Sequence, residues 1–104
     1  MAQITDVVMR LLESSQQGKV NWMISVDEQT FVAVIGNNSV TLYSRGDGVV
    51  LRILDKAGRE IERIDTATSS EYRPQLEELH RRAKNQALKV AAQLDELLKQ
   101  LEAT

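Results

Sequence analysis

The chain contains no cysteine. That excludes a disulfide framework, a thiolate nucleophile and a cysteine-based zinc site. It has one histidine, His80, so no His–His metal pair can form. Aromatic residues make up only 4% and are limited to Trp22, Phe31, Tyr43 and Tyr72, too few for a base-stacking platform. Glycines stand singly at 18, 36, 46, 48 and 58, which excludes a glycine-rich phosphate loop. No run approaches the roughly 20 apolar residues that cross a bilayer, so no membrane role is expected. Neither charge sign dominates: 13 Lys and Arg oppose 15 Asp and Glu, a net charge of −2. Bulk charge therefore does not point to nucleic acid. The start, Met1 to Asp6, lacks a basic region, and Arg10 breaks the apolar run after it. No secretory signal is expected, and the expected compartment is the cytoplasm.

What is present is ordinary for a folded domain. The 104 residues are 42% hydrophobic and 27% charged. This excludes wholesale disorder and fits a single domain over 1–104.

Periodicity divides the chain into three parts. Ile4, Val7, Val8, Leu11 and Leu12 form a helical stripe, with Thr5 or Asp6 as cap and Gly18 just past the end, within 1–19. Residues 20–66 read as five strands. Val20, Trp22, Ile24 and Val26 alternate in the first, Thr30 to Ile35 form the second, and Val40 to Ser44 the third. Val49, Leu51 and Ile53 alternate in the fourth, and Glu60 to Ile64 form the fifth. The turns between them carry Gly36-Asn37, Gly46-Asp47 and Asp55 to Gly58. Such short connections pair sequential neighbours antiparallel, in the order 1-2-3-4-5. The last part, 69–104, is one long helix opened by Ser69 or Ser70, by a Thr68–Glu71 capping box, or nearer 72–73 because of Pro74. The expected fold class is α+β: an N-terminal helix, a five-stranded antiparallel up-and-down meander and a long C-terminal helix.

Three features bear on function. Strand 2 is apolar on both faces, with Phe31, Ala33 and Ile35 on one and Val32 and Val34 on the other. Met23, Tyr43, Val50 and Leu54 extend the second face, so the sheet is expected to need cover on both sides, by its own helices or by another chain. Ile61 and Ile64 lie three apart and break the strand period, which predicts a short or bulged edge strand. The long helix carries two heptad series, Leu76, Ala83, Val90, Leu97 and His80, Ala87, Leu94, Leu101, flanked by Leu79, Leu88, Ala91 and Leu98. About 30 residues of helix span roughly 45 Å, against about 25 Å for a strand of seven or eight residues. The C-terminal half should therefore overhang, exposing Val90, Leu94, Leu97, Leu98 and Leu101, the expected partner or oligomer interface; the opposing reading is that these leucines cover the second face of the chain's own sheet in a monomer.

The candidate motifs for chemistry are weaker. Arg45-Gly46-Asp47 matches an integrin-binding tripeptide and Asn37-Asn38-Ser39 a glycosylation acceptor, but both lie where hairpin turns are expected. His80 sits at a heptad core position, where a polar residue can set register, rather than beside a nucleophile. Glu77 and Glu78 precede Arg81 and Arg82 at i,i+4, ordinary helix-surface pairing. Arg81, Arg82, Lys84 and Lys89 fall within nine positions without an acid between them and are the candidate nucleic-acid contacts. No catalytic residue, metal ligand or cofactor site is assigned, and the chain is not expected to be an enzyme.

Three functional classes result. The first is a non-enzymatic interaction or regulatory protein, of adaptor, chaperone or immunity type, which self-associates through its long helix as a homodimer. The second is a nucleic-acid-binding regulator using the basic middle of that helix. The third and weakest is a small enzyme or ligand-binding protein with a cleft between sheet and helix.

Overall fold

The computed structural model describes residues 3–104. Helix α1 (Ile4–Gln16) is followed by β1 (Met23–Ile24), β2 (Thr30–Ile35), β3 (Asn38–Arg45), β4 (Gly48–Leu54) and β5 (Glu60–Asp65). Helix α2 (Arg73–Glu102) ends the chain. The strands form one antiparallel sheet in the order β1-β2-β3-β4-β5, so the α+β meander stands.

Local chemistry sets the element ends. α1 starts at Gln3, whose N–H donates to Asp6 Oδ2 at 3.0 Å, so Asp6 acts from inside the first turn rather than as the cap residue. It stops where Gly18 takes a φ of +72° and Lys19 N–H donates back to Ser14 O at 2.9 Å. The two tight hairpins place Gly36 and Gly46 at φ +61°, with Ile35 opposite Asn38 and Arg45 opposite Gly48. Both are thus two-residue turns whose first residue needs the left-handed region. α2 begins at Arg73 with Pro74 in its first turn, later than Ser69 or Ser70.

The first strand is much shorter than 20–26. Trp22 N–H donates to Gln86 Oε1 of α2 at 2.8 Å instead of joining the sheet ladder. Val26 is fully exposed at the turn. That turn is closed by Asp27, which accepts from Ser25 Oγ, from the N–H groups of Gln29 and Thr30, and from Thr30 Oγ1. Only Met23 and Ile24 pair, with Val32 and Phe31.

One core joins α1, α2 and one face of the sheet. Val8 and Leu11 of α1 meet Phe31, Ala33, Val40, Leu42 and Leu51 of the strands and Leu76, Leu79, Ala83 and Ala87 of α2. The helices run side by side in the same direction. The Thr5 and Tyr72 hydroxyls are hydrogen-bonded at their starts, and Trp22 Nε1 donates to Ser15 Oγ near the end of α1. α2 crosses the strands instead of following them. It begins where the Arg73 guanidinium donates to Thr66 O beyond β5, passes Phe31 of β2 at His80 and leaves beside Trp22, before β1.

The opposite face of the sheet carries no helix among the described residues, so the chain's own helices do not supply the second cover. Val34 is 76% and Met23 58% exposed there, while Val32, Tyr43 and Leu54 are half-buried. Val50 is nevertheless buried, cross-strand from Tyr43 and Asp65, and Arg63 donates to the Tyr43 hydroxyl above this face. Short-range cover by neighbouring long side chains replaces a second layer. The irregularity expected at Ile61 is present as a register shift opposite Ile53 and Leu54.

Candidate functional site

The 30-residue α2 is about 45 Å long at about 1.5 Å per residue. Its first half is bound to the core and its second is not. Leu76, Leu79, Ala83 and Ala87 are all at most 1% exposed, and Val90 and Ala91 mark the boundary as half-buried residues. Beyond them Leu94, Leu97, Leu98 and Leu101 are 50–62% exposed, and every residue from Ala92 to Thr104 lies on the surface. The molecule measures 53 × 30 × 25 Å, and the overhang accounts for its long axis. Four of the five expected interface residues are therefore open, and Val90 is partly absorbed by the chain's own core.

Sequence spacing alone puts Ala83, Ala87, Leu94 and Leu97 on one seam. Tertiary packing divides that seam, because the sheet ends at the short β1. His80, a member of the same seam, faces its own chain: its ring meets Phe31 edge-on, with centroids 5.5 Å apart. Burial, and then the positive charge of Lys84, lower its pKa below the ordinary 6.5.

The basic stretch is less open to phosphate than its composition suggests. Glu78 accepts from Arg81 at 2.6 and 3.0 Å and from Arg82 at 2.7 Å. These two guanidinium groups hold its carboxyl below the ordinary range. Glu77 pairs backwards with Arg73 at 3.5 Å instead of with Arg81. Only Lys84 and Lys89 of the four candidate contacts make no ion pair among the described residues. Beside Arg81 and Arg82, a recess of about 270 Å3 lies between Ser15, Trp22 and Gln86. Trp22 itself is 1% exposed, so it is a core side chain there and not a binding platform.

A larger feature escaped the sequence reading of individual residues. α1 packs along α2 but stands away from the far end of the sheet, leaving a cleft of about 890 Å3. Ile4, Val7 and Leu11 form one wall, and Val40, Ile53 and Ile61 form the other. Val7 is 37% and Ile61 57% exposed, so apolar surface faces solvent on both sides. The size is that of a site for a small ligand or a few side chains of a partner. Two signals pointed towards it: the broken period at Ile61, and the width of the α1 stripe, which exceeds what α2 covers. Its rim carries Arg10 and Lys19, with Asp6 and Glu62 on the same cleft. The Asp6 carboxylate is engaged by Gln3 N–H, and Glu62 Oε1 accepts from Arg63 N–H.

No group of three or more His, Asp or Glu side chains converges on a metal-sized site among the described residues. No described helix is long and apolar enough to cross a membrane. Comparison with protein-family models, with curated proteins and with solved structures finds no match for this chain.

Proposed function

We propose that this chain is a non-enzymatic interaction protein that self-associates through the C-terminal half of α2. The observation that carries this is the row Leu94, Leu97, Leu98 and Leu101, each at least half exposed and beyond the reach of the sheet. A helix that is apolar past the end of its own core buries that stripe against another surface. A two-fold pair of identical patches is the commonest closed arrangement.

Magnitudes define what the interface needs. Completing the burial of a half-exposed leucine is worth about 1 kcal/mol, half of the roughly 2 kcal/mol for a full side chain. Eight such leucines from two copies give about 8 kcal/mol, inside the range of about 4–15 kcal/mol that association costs. The leucine row alone only about balances the cost of association, so a micromolar dimer needs further surface buried beside it.

Sedimentation equilibrium of the wild type and of Leu94→Asp with Leu101→Asp tests the reading. The wild type should be a dimer at micromolar concentration, and the variant a monomer with unchanged far-ultraviolet circular dichroism. A wild type that remains monomeric at high micromolar concentration overturns it. The nucleic-acid alternative draws less support, because Glu78 already holds Arg81 and Arg82.

A further inference from the structure

The α2 overhang and the α1–sheet cleft are the two unfilled apolar features on the described core side of the chain. They match in length. From Ala92 to Glu102 the overhang spans about 16 Å, and the α1 residues lining the cleft, Gln3 to Ser14, span about the same. They also match in charge. Asp95, Glu96 and Glu102 make no ion pair among the described residues, and neither do Arg10 and Lys19 at the cleft rim. Lys99 is the one cation in that part of the helix, and Asp6 and Glu62 are the acids it would meet in the cleft.

Building on the self-association argued above, we propose that the overhang of each copy docks in the α1–sheet cleft of a second copy, reciprocally. Leu94, Leu98 and Leu101 enter between Val7 and Ile61. Asp95 and Glu102 come to the side of Arg10 and Lys19. The arrangement is two-fold: each copy gives one helix end and receives one, so both apolar features are filled without leaving an open end. It also adds cleft surface to an interface for which leucine on leucine alone leaves little surplus.

Variants and crosslinks separate this from simple pairing of two overhangs. Val7 and Ile61 are exposed, so Val7→Asp with Ile61→Asp should leave each copy folded. The inference expects this variant to become monomeric, with the dimer dissociation constant raised at least a hundredfold, as for the leucine variant. Because the chain has no cysteine, introduced thiols report cleanly. Ile61→Cys mixed with Leu98→Cys should give a disulfide-linked heterodimer, and neither variant alone should crosslink efficiently. A Val7/Ile61 variant that stays dimeric, or efficient crosslinking of Leu98→Cys to itself, overturns the docking mode while leaving self-association intact. Equal binding of an apolar fluorescent dye in the cleft of monomer and dimer would assign the cleft to a small ligand and overturn it as well. A monomeric wild type removes both readings together.

Discussion

Among the described residues Thr66 is the one buried polar side chain, at 2% exposure, and its contacts explain why. Its Oγ1 accepts from Val49 N–H at 2.8 Å, its N–H donates to Val49 O at 3.0 Å, and its carbonyl accepts from Arg73 at 3.3 Å. It thus ties β4 to the segment that launches α2. Thr66→Val keeps the shape but orphans the buried Val49 N–H, which should cost about 1–3 kcal/mol, read as a lower urea midpoint at unchanged slope. Next to it, a Cβ on Gly48 would lie 2.8 Å from Thr66 Oγ1 and 2.9 Å from Ala67 N. The second of these is backbone and cannot swing aside, so Gly48→Ala should also destabilise.

Two titrations act in the same direction. His80 has a lowered pKa in the folded chain, so the unfolded chain binds its proton more readily. Stability is undiminished above the ordinary 6.5 and falls as pH drops below it. Asp27 is held at about 2, against an ordinary 3.8, first by the Ser25 hydroxyl and then by the Gln29 N–H and the donors of Thr30. Its contribution is present above 3.8 and is lost as pH falls through about 2. Urea midpoints measured against pH should fall in two separate steps on acidification, and His80→Gln should remove only the upper one. Stability that rises between pH 6.5 and 5 would contradict the burial of His80.

The long helix behaves as two half-elements. In its first half, Leu79→Ala removes a fully buried side chain from the main core and should cost about 2–5 kcal/mol of stability. In the second half, Leu98→Ala removes a side chain that is 55% exposed and touches little of its own chain. Its effect should appear in the dimer dissociation constant and leave monomer stability within about 0.5 kcal/mol. Denaturation at two protein concentrations distinguishes these outcomes, since only the second variant changes the concentration dependence.

The radius of gyration of 14.9 Å exceeds the roughly 13 Å of a compact chain of this length, which the overhang accounts for. If the overhang pairs, the wild-type Tm should rise with protein concentration, and that rise should vanish in Leu94→Asp with Leu101→Asp. Salt should matter to nucleic acid only weakly. With only Lys84 and Lys89 of the four candidate contacts free of ion pairs among the described residues, duplex binding through this stretch should show a log–log salt slope near about −1.8, checked by titration at several salt concentrations.

The succession of elements was legible because it rests on local chemistry: a stripe at 3.6-residue spacing in α1, alternation in β4, glycines at the hairpins, and an uninterrupted helix after Pro74. The bulge near Ile61 was legible for the same reason, since a broken period is a local event. The overhang followed from lengths alone. Strand 1 was overestimated because the alternation of Val20, Trp22 and Ile24 reports burial, which comes partly from α2, the helix that takes the Trp22 N–H away from the ladder, while Val26 continues the spacing without being buried. The open second sheet face has a similar origin: two-sided apolarity in β2 does not say which side the helices choose, and both pack on one. The cleft lay furthest from view. It exists because α1 packs along α2 and not flat on the sheet; the broken period at Ile61 and the wide α1 stripe mark its two walls, but the angle that separates them is settled by long-range packing of Val8, Leu11 and Trp22.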